Sequence, residues 1–284
     1  MRWVSFEFEG RNCTGCLEGE TIYCVPNRQL RELLPNLQAA RALATEALNL
    51  SQVKLRQPIL RPGKILGIGV NYVDHMKESV SFIENKAPEI QKWFNKQVTA
   101  ANGPYDPVHV PKVSEQLDYE GELVAIIGQV GRHVPAERAL ELVAGFCCGC
   151  DYSVRDWQRA SATMIMGKGF DTHAVFGPHL VTPDEVGDYR ALTIETYVNE
   201  ERRQLGRAAD MRFSLEEQIA HLSRAFTLEP GDVIFTGTPA GVGAGLKPPV
   251  WLKPGDHVRV EIDGLGQLDN PIITEPDSTV RLGA

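Results

Sequence analysis

The chain has no stretch approaching the roughly 20 consecutive apolar residues that a membrane helix needs. Its opening, Met1-Arg2-Trp3-Val4-Ser5-Phe6-Glu7-Phe8, alternates like a strand and lacks the long apolar core of a signal peptide. It has no surplus of positive charge. Its 29 Lys and Arg stand against 37 Asp and Glu, a net charge of −8, which argues against a nucleic-acid surface. Cysteine is scarce, 6 in 284 residues, so no disulfide framework is expected. Cys13-Thr14-Gly15-Cys16 is a lone pair, without the second pair a zinc site would want, and reads as reduced thiols on a small sheet. Cys147, Cys148 and Cys150 read as small core residues leading to Asp151. The glycine-rich segment at 236–243 lacks the Gly-Lys-Ser or Gly-Lys-Thr of a phosphate-binding loop. There is no internal repeat and no low-complexity segment. These absences leave a cytoplasmic enzyme with no membrane or nucleic-acid partner as the expectation.

What is present is ample apolar content, 43% hydrophobic, enough for a large core. Residues 1–60 read as a small N-terminal unit, with strands near 2–8 and 21–25 and an Ala- and Leu-rich helix from about 37 to 48. Pro58 and Arg61-Pro62-Gly63 then punctuate the chain, and a strand at 64–70 opens a larger, strand-dominated unit over 61–284. The expected class is α+β, β-rich. Ser214-Leu215-Glu216-Glu217 fits a capping box, and Ile219, Leu222 and Phe226 give the helix that follows an apolar face. Val258, Val260 and Ile262 mark a half-buried strand. Residues 80–107 are polar and irregular, either a mobile lid or a surface insertion.

The chemistry-bearing residues lie in the strand-like segments. Glu120 and Glu122, at i and i+2, project side by side from one strand face, where two buried carboxylates repel each other. A cation is the simplest relief, and oxygen ligands suit Mg²⁺, Mn²⁺ or Ca²⁺. If a strand ends at Asp151 and a helix follows, then Asp151, Arg155 and Gln158 share a pocket. The alternative is a surface helix with an Asp–Arg pair. His75 and Glu78, at i and i+3, form either a general base with its orienting carboxylate or an ordinary surface pair. Lys168, between two glycines, is either a desolvated ammonium near a metal or part of a flexible loop. Thr238 and the amides around it could hold a carboxylate, or simply form a tight loop.

Together these segments resemble the fumarylacetoacetate hydrolase superfamily. The resemblance rests on GxNYxDHxxE at 69–78, DYEGEL at 118–123, DYSxRDWQ at 151–158, KGFDT at 168–172 and LEPGDVIFTGTPAGVG at 228–243. It implies a mixed β-sandwich roll with a small N-terminal β-containing domain, assembled as a homodimer. It implies metal ligation by Glu120, Glu122 and Asp151, catalytic roles for His75, Glu78 and Lys168, and substrate binding by Arg155, Gln158 and Thr238. Asn71 stands where longer-chain members carry an aspartate ligand, which implies three carboxylates and the shorter-chain, acylpyruvase-like branch. The implied reaction is metal-dependent hydrolysis of a carbon–carbon bond in an acylpyruvate-type 2,4-dioxo acid, fumarylpyruvate- or maleylpyruvate-like. In it His75, oriented by Glu78, activates a water and Lys168 stabilises the departing pyruvate enolate. Oxaloacetate decarboxylation, isomerisation of a 2-hydroxy-dienedioate and dehydration of a 2-keto-3-deoxy acid are rivals on the same site. A non-catalytic protein binding small acids would not need His75 and Glu78. The segment over 72–100 is expected to order over the bound substrate.

Overall fold

The computed structural model describes residues 1–79 and 89–277. Its frame is a 12-stranded sheet. At its centre, Gly121–Ile127 lies antiparallel to Val143–Asp151 on one side and to Val233–Phe235 on the other. All seven residues of Gly121–Ile127 are buried. Leu123, Ala125 and Ile127 enter one core, and Val124 and Ile126 enter the other. A strand covered on both faces reads as a continuous apolar run, which is why this segment shows no alternation. The first core fills the space toward a five-stranded sheet that includes Thr193–Val198, His257–Ile262 and Gly266–Thr274.

The N-terminal strands continue the large sheet. Arg2–Phe8 pairs with Ala174–Val181 through Arg2↔Val181 and Trp3↔Leu180. Strands appear at Arg2–Phe8 and Thr21–Val25 as expected, and Arg11–Glu18 is an additional one between them. Its alternation is broken at Gly15, where a Cβ would come within 2.5 Å of Ile22 and 2.8 Å of the Tyr23 carbonyl oxygen. The expected helix over 37–48 is corrected. Helix covers only Leu37–Arg41, and Glu46–Asn49 is a strand paired with Thr21–Val25. Leu37 and Ala40 are buried but Leu43 is 51% exposed, so a longer helix would have buried nothing more, whereas the strand recovers sheet hydrogen bonds.

The capping box is present. The Ser214 hydroxyl accepts from the Glu217 N–H at 3.3 Å, and the Ser214 N–H donates to Glu217 Oε2 at 2.8 Å. The helix Leu215–Ala225 buries Leu215, Ile219 and Leu222. Of the segment 80–107, residues 80–88 lie outside the described residues, as does part of the expected lid. Within the remainder, Lys92–Lys96 corrects the irregular reading. It is a strand pairing with Ile65–Gly69, and its Phe94 and Lys96 turn inward together. Cys13 and Cys16 pack in different clusters and are free thiols.

Candidate active site

The central strand pair builds the site. Gly121 faces Cys150 across the ladder, and the Asp151 N–H donates to the Glu120 carbonyl at 2.8 Å. The end of one strand therefore sets Asp151 beside Glu120. Carboxylate oxygens of Glu120, Glu122 and Asp151 all lie within 4.8 Å of one another, and all three residues are buried. Lys168 donates to both Glu120 and Asp151, at 2.6 Å to Asp151 Oδ2. Lys96 donates to Asp151 and, at 3.1 Å, to the Tyr152 carbonyl. Arg155 Nη1 lies 2.8 Å from Glu120 Oε1 and donates to Gln158 Oε1 at 3.0 Å.

Glu122 is treated differently. The partner it shows is a backbone amide, the Gly237 N–H at 2.7 Å to Oε2, and among the described residues no ammonium or guanidinium is bonded to it. Burial, then the Asp151 and Glu120 charges, push its carboxyl well above the usual range. Burial also opposes the charge on Glu120, but Arg155 and Lys168 outweigh it and hold that carboxyl far below the usual range. Lys168 is likewise kept charged, because Asp151 and Glu120 overcome its burial. Lys96 is shifted downward, because burial exceeds the pull of Asp151. Three converging carboxylates, one of them without a cationic partner among the described residues, fit a hard divalent metal held by Glu120, Glu122 and Asp151.

The helix Val73–Ser79 supplies the other half of the site. His75 Nδ1 lies 3.1 Å from Glu78 Oε2, and Glu78 accepts from the Gly241 N–H at 3.1 and 3.2 Å. His75, 5% exposed, lines one small cavity together with Glu120, Glu122, Arg155, Gln158, Lys168 and Thr238. Asp151 sits behind it against the lysines, and Glu78 behind His75. The structure thus brings the nine residues singled out in the sequence to one place.

Two of them are oriented otherwise than the sequence suggested. The Arg155 fork is not turned to the cavity. Its Nε donates to Asp118 Oδ2 at 2.8 Å and its Nη2 lies 2.8 Å from the same oxygen, leaving Nη1 on the site side. The Thr238 hydroxyl donates to the Gly121 carbonyl at 2.8 Å and accepts from Gln204 Nε2 at 2.8 Å. Its proton is therefore already committed to the strand. Asn71 is fully buried and spends its amide on Phe213 and Thr236, tying loops together rather than facing the carboxylates.

Lys96, Asp118 and Gln204 were missed. The inward pairing of Phe94 with Lys96 was a usable signal. Asp118 lies in a separate short ladder, Leu117–Asp118 against Ser153–Val154, and no spacing rule points to it.

The family description "Fumarylacetoacetate (FAA) hydrolase C-terminal" matches residues 64–273. The chain belongs to the fumarylacetoacetate hydrolase family. Its strand-rich α+β architecture is the family's, shared with the fumarylacetoacetate hydrolase of Exiguobacterium antarcticum at a TM-score of 0.82 and 37% identity, over 97% of this chain and 100% of that one. Among curated relatives, the mitochondrial oxaloacetate tautomerase FAHD2A of Homo sapiens is 44% identical over 239 residues, 83% of this chain and 75% of the relative. The solved maleylpyruvate hydrolase of Sphingobium sp. SYK-6, in complex with manganese(II) and pyruvate, aligns with a TM-score of 0.80 and 29% identity, over 97% of this chain and 100% of that one. Family members thus include hydrolases and tautomerases of small acids. Among the described residues no helix is long and apolar enough to cross a membrane.

Proposed function

We propose that the protein is a metal-dependent enzyme that moves a proton on a compact 2-oxo dicarboxylate, with keto–enol tautomerisation of oxaloacetate as its reaction. The observation that carries this is the cavity lined by Glu120, Glu122, Lys168 and His75, with Asp151 completing the buried carboxylate triad behind it and Glu78 against His75. Glu78 takes up Nδ1 of His75, so Nε2 is the atom that exchanges protons with the substrate. Nε2 removes a proton from C3, the C–H electron pair becomes the C2=C3 bond, the C2=O π pair moves to the 2-oxo oxygen, and that oxygen takes the proton back from the His75 imidazolium to give the enol. Glu120, Glu122 and Asp151 would hold a Mg²⁺ or Mn²⁺, which would supply Lewis-acid stabilisation of the enolate charge. The Lys168 ammonium, kept charged by Asp151 and Glu120, adds a second positive charge from the protein. Gln158 lines the cavity beside the substrate, its Oε1 held by Arg155 and its Nε2 donating to Met164 Sδ at 3.7 Å. The identity to an oxaloacetate tautomerase supports the choice of substrate.

The same residues serve a second reading, hydrolytic cleavage of an acylpyruvate such as fumarylpyruvate or maleylpyruvate, in which His75 takes its proton from water. The manganese and pyruvate in the Sphingobium maleylpyruvate hydrolase support it. A division into a small unit at 1–60 and a catalytic domain at 61–284, a homodimer and a cytoplasmic location belong to this proposal. The start of the family match at residue 64 supports the division. The vertebrate relative is named as mitochondrial.

The test follows the enol absorbance of oxaloacetate with Mg²⁺, Mn²⁺ or a chelator, while pyruvate release from acylpyruvates and loss of carbon dioxide from oxaloacetate are measured in parallel. Metal-dependent acceleration of enol–keto exchange that is lost in His75→Ala is the expected result. No acceleration with either metal overturns the tautomerase reading, and metal-dependent pyruvate release in its place establishes the hydrolase.

A further inference from the structure

Asp118 is fully buried and outside the cavity, yet donors converge on it from three directions. Oδ1 accepts from the Tyr119 N–H at 2.9 Å and the Gly243 N–H at 2.7 Å. Oδ2 accepts from the Ala244 N–H at 3.0 Å and Arg155 Nε at 2.8 Å. The neighbouring Tyr119 hydroxyl donates to the Gly241 carbonyl at 2.9 Å. Two adjacent residues therefore hold both ends of the loop at 241–244. The other side of this loop carries Glu78. The Gly241 N–H donates to both Glu78 oxygens, at 3.1 and 3.2 Å. Gly245 runs so close that a Cβ there would sit 2.1 Å from Glu78 Oε1. Glu78 in turn lies against His75 Nδ1.

We propose that Asp118 is a positioning residue for the His75–Glu78 pair. It fixes the loop at 241–245, and the loop fixes the Glu78 carboxylate. Both Asp118 oxygens are used twice, so any displacement of this carboxylate moves Arg155 and the loop together. A neutral side chain of the same shape cannot take its place, because an amide has only one accepting oxygen. The inference rests on the reading of His75 and Glu78 as the proton-transferring pair.

In Asp118→Asn, an N–H donor meets the Ala244 N–H and Arg155, or else meets Tyr119 and Gly243. Two measurements are made on this variant, on Glu78→Gln and on the double variant: kcat for oxaloacetate enol–keto exchange, and amide hydrogen exchange over residues 73–79. Asp118→Asn is expected to lower kcat by about 10- to 100-fold, within the range that general-base catalysis contributes. In the Glu78→Gln background the further loss should shrink several-fold, because residues acting through one another are not additive. An equal fold-loss in both backgrounds overturns the proposal. Exchange over 73–79 should quicken in Asp118→Asn whether or not oxaloacetate is the substrate. Wild-type protein inactive on every 2-oxo acid therefore sinks the functional reading alone, while unchanged exchange sinks the role of Asp118. Ala244→Pro, which removes one N–H from Asp118 and leaves its ion pair with Arg155, covers the case in which Asp118→Asn does not fold. Unchanged exchange over 73–79 in that variant likewise overturns the proposal.

Discussion

Replacing Glu122 with glutamine is expected to raise the thermal stability of the metal-free protein and to abolish its stabilisation by manganese. The two effects have opposite signs and a common origin. Glu122 is 1% exposed, faces two other carboxylates and is bonded to the Gly237 N–H rather than to a cation. At neutral pH its charge can subtract no more than about 3.7 kcal/mol, because a carboxyl of ordinary pKa takes up a proton for that cost. Glutamine keeps an oxygen for Gly237 and removes the charge, so a gain of about 1–3 kcal/mol is expected. In a chain of this size that raises Tm by roughly 2–10 °C. Wild type should gain about 2.7 kcal/mol at a manganese concentration 100 times Kd, and the variant, lacking one of three ligands, almost none. Thermal scans of both proteins in chelator and in excess manganese give all four values. A variant that keeps the wild-type manganese shift would show that Glu122 is not a ligand. A variant less stable than wild type in chelator would refute the account of its charge.

Lys96→Met should lower Tm in chelator and show a larger manganese shift than wild type, since a bound cation replaces the charge lost beside Asp151; the same scans report it. Gly245→Ala should lower kcat roughly as much as Glu78→Gln, within about 10- to 100-fold, with little change in Tm, because the new methyl displaces only the end of the Glu78 side chain. Ser214→Ala should cost about 1 kcal/mol by removing the cap of the helix Leu215–Ala225, read as a lower midpoint in urea. Burial holds His179 at about 4 and His173 at about 3, below the roughly 6.5 of an unfolded chain. As pH falls from 6.5 toward 4 the unfolded chain takes up protons that the fold refuses, so stability falls by about 1.4 kcal/mol per pH unit for each site. His179→Gln should halve the histidine part of that slope in urea titrations across this window.

The carboxylate pair was legible because its signal is local. Glu120 and Glu122 are two residues apart, and although the strand begins only at Gly121, the Asp151 N–H bond to the Glu120 carbonyl carries the ladder one residue further and keeps the i, i+2 spacing. For Asp151 the spacing to Arg155 and Gln158 left a pocket and a surface helix both open, and the motif decided between them, because no local rule says which residue of Val143–Asp151 meets Glu120 across the ladder. The helix over 37–48 was read too long because alanine and leucine propensity is a weak prior, and pairing with Thr21–Val25 outweighed it at Glu46–Asn49. Lys96 was hidden by its polar neighbours, although its strand alternates. The direction of the Arg155 fork could not be read at all. It depends on Asp118, 37 positions earlier, and a helix spacing specifies which face a side chain leaves from but not which acid it meets.

The pairing of Arg2–Phe8 with Ala174–Val181 also sets a clock. Residue 1 and its partner Thr182 are separated by 181 positions along the chain. At about 5–20 residues per second, a ribosome takes roughly 10–35 seconds to supply the partner strand. Arg11–Glu18 can close one side of Arg2–Phe8 almost at once, and Lys54–Arg56 covers Ser5–Glu7 on the other side a few seconds later. Arg2 and Trp3 must wait with an open ladder edge, and the cluster that buries Trp3 lacks Ala174, Phe176 and Leu180 until then. An open edge carrying a tryptophan is a template for pairing with another nascent chain. The demand this fold places on holding chaperones should therefore peak while the middle of the chain is being made, and end abruptly once residue 181 has cleared the exit tunnel.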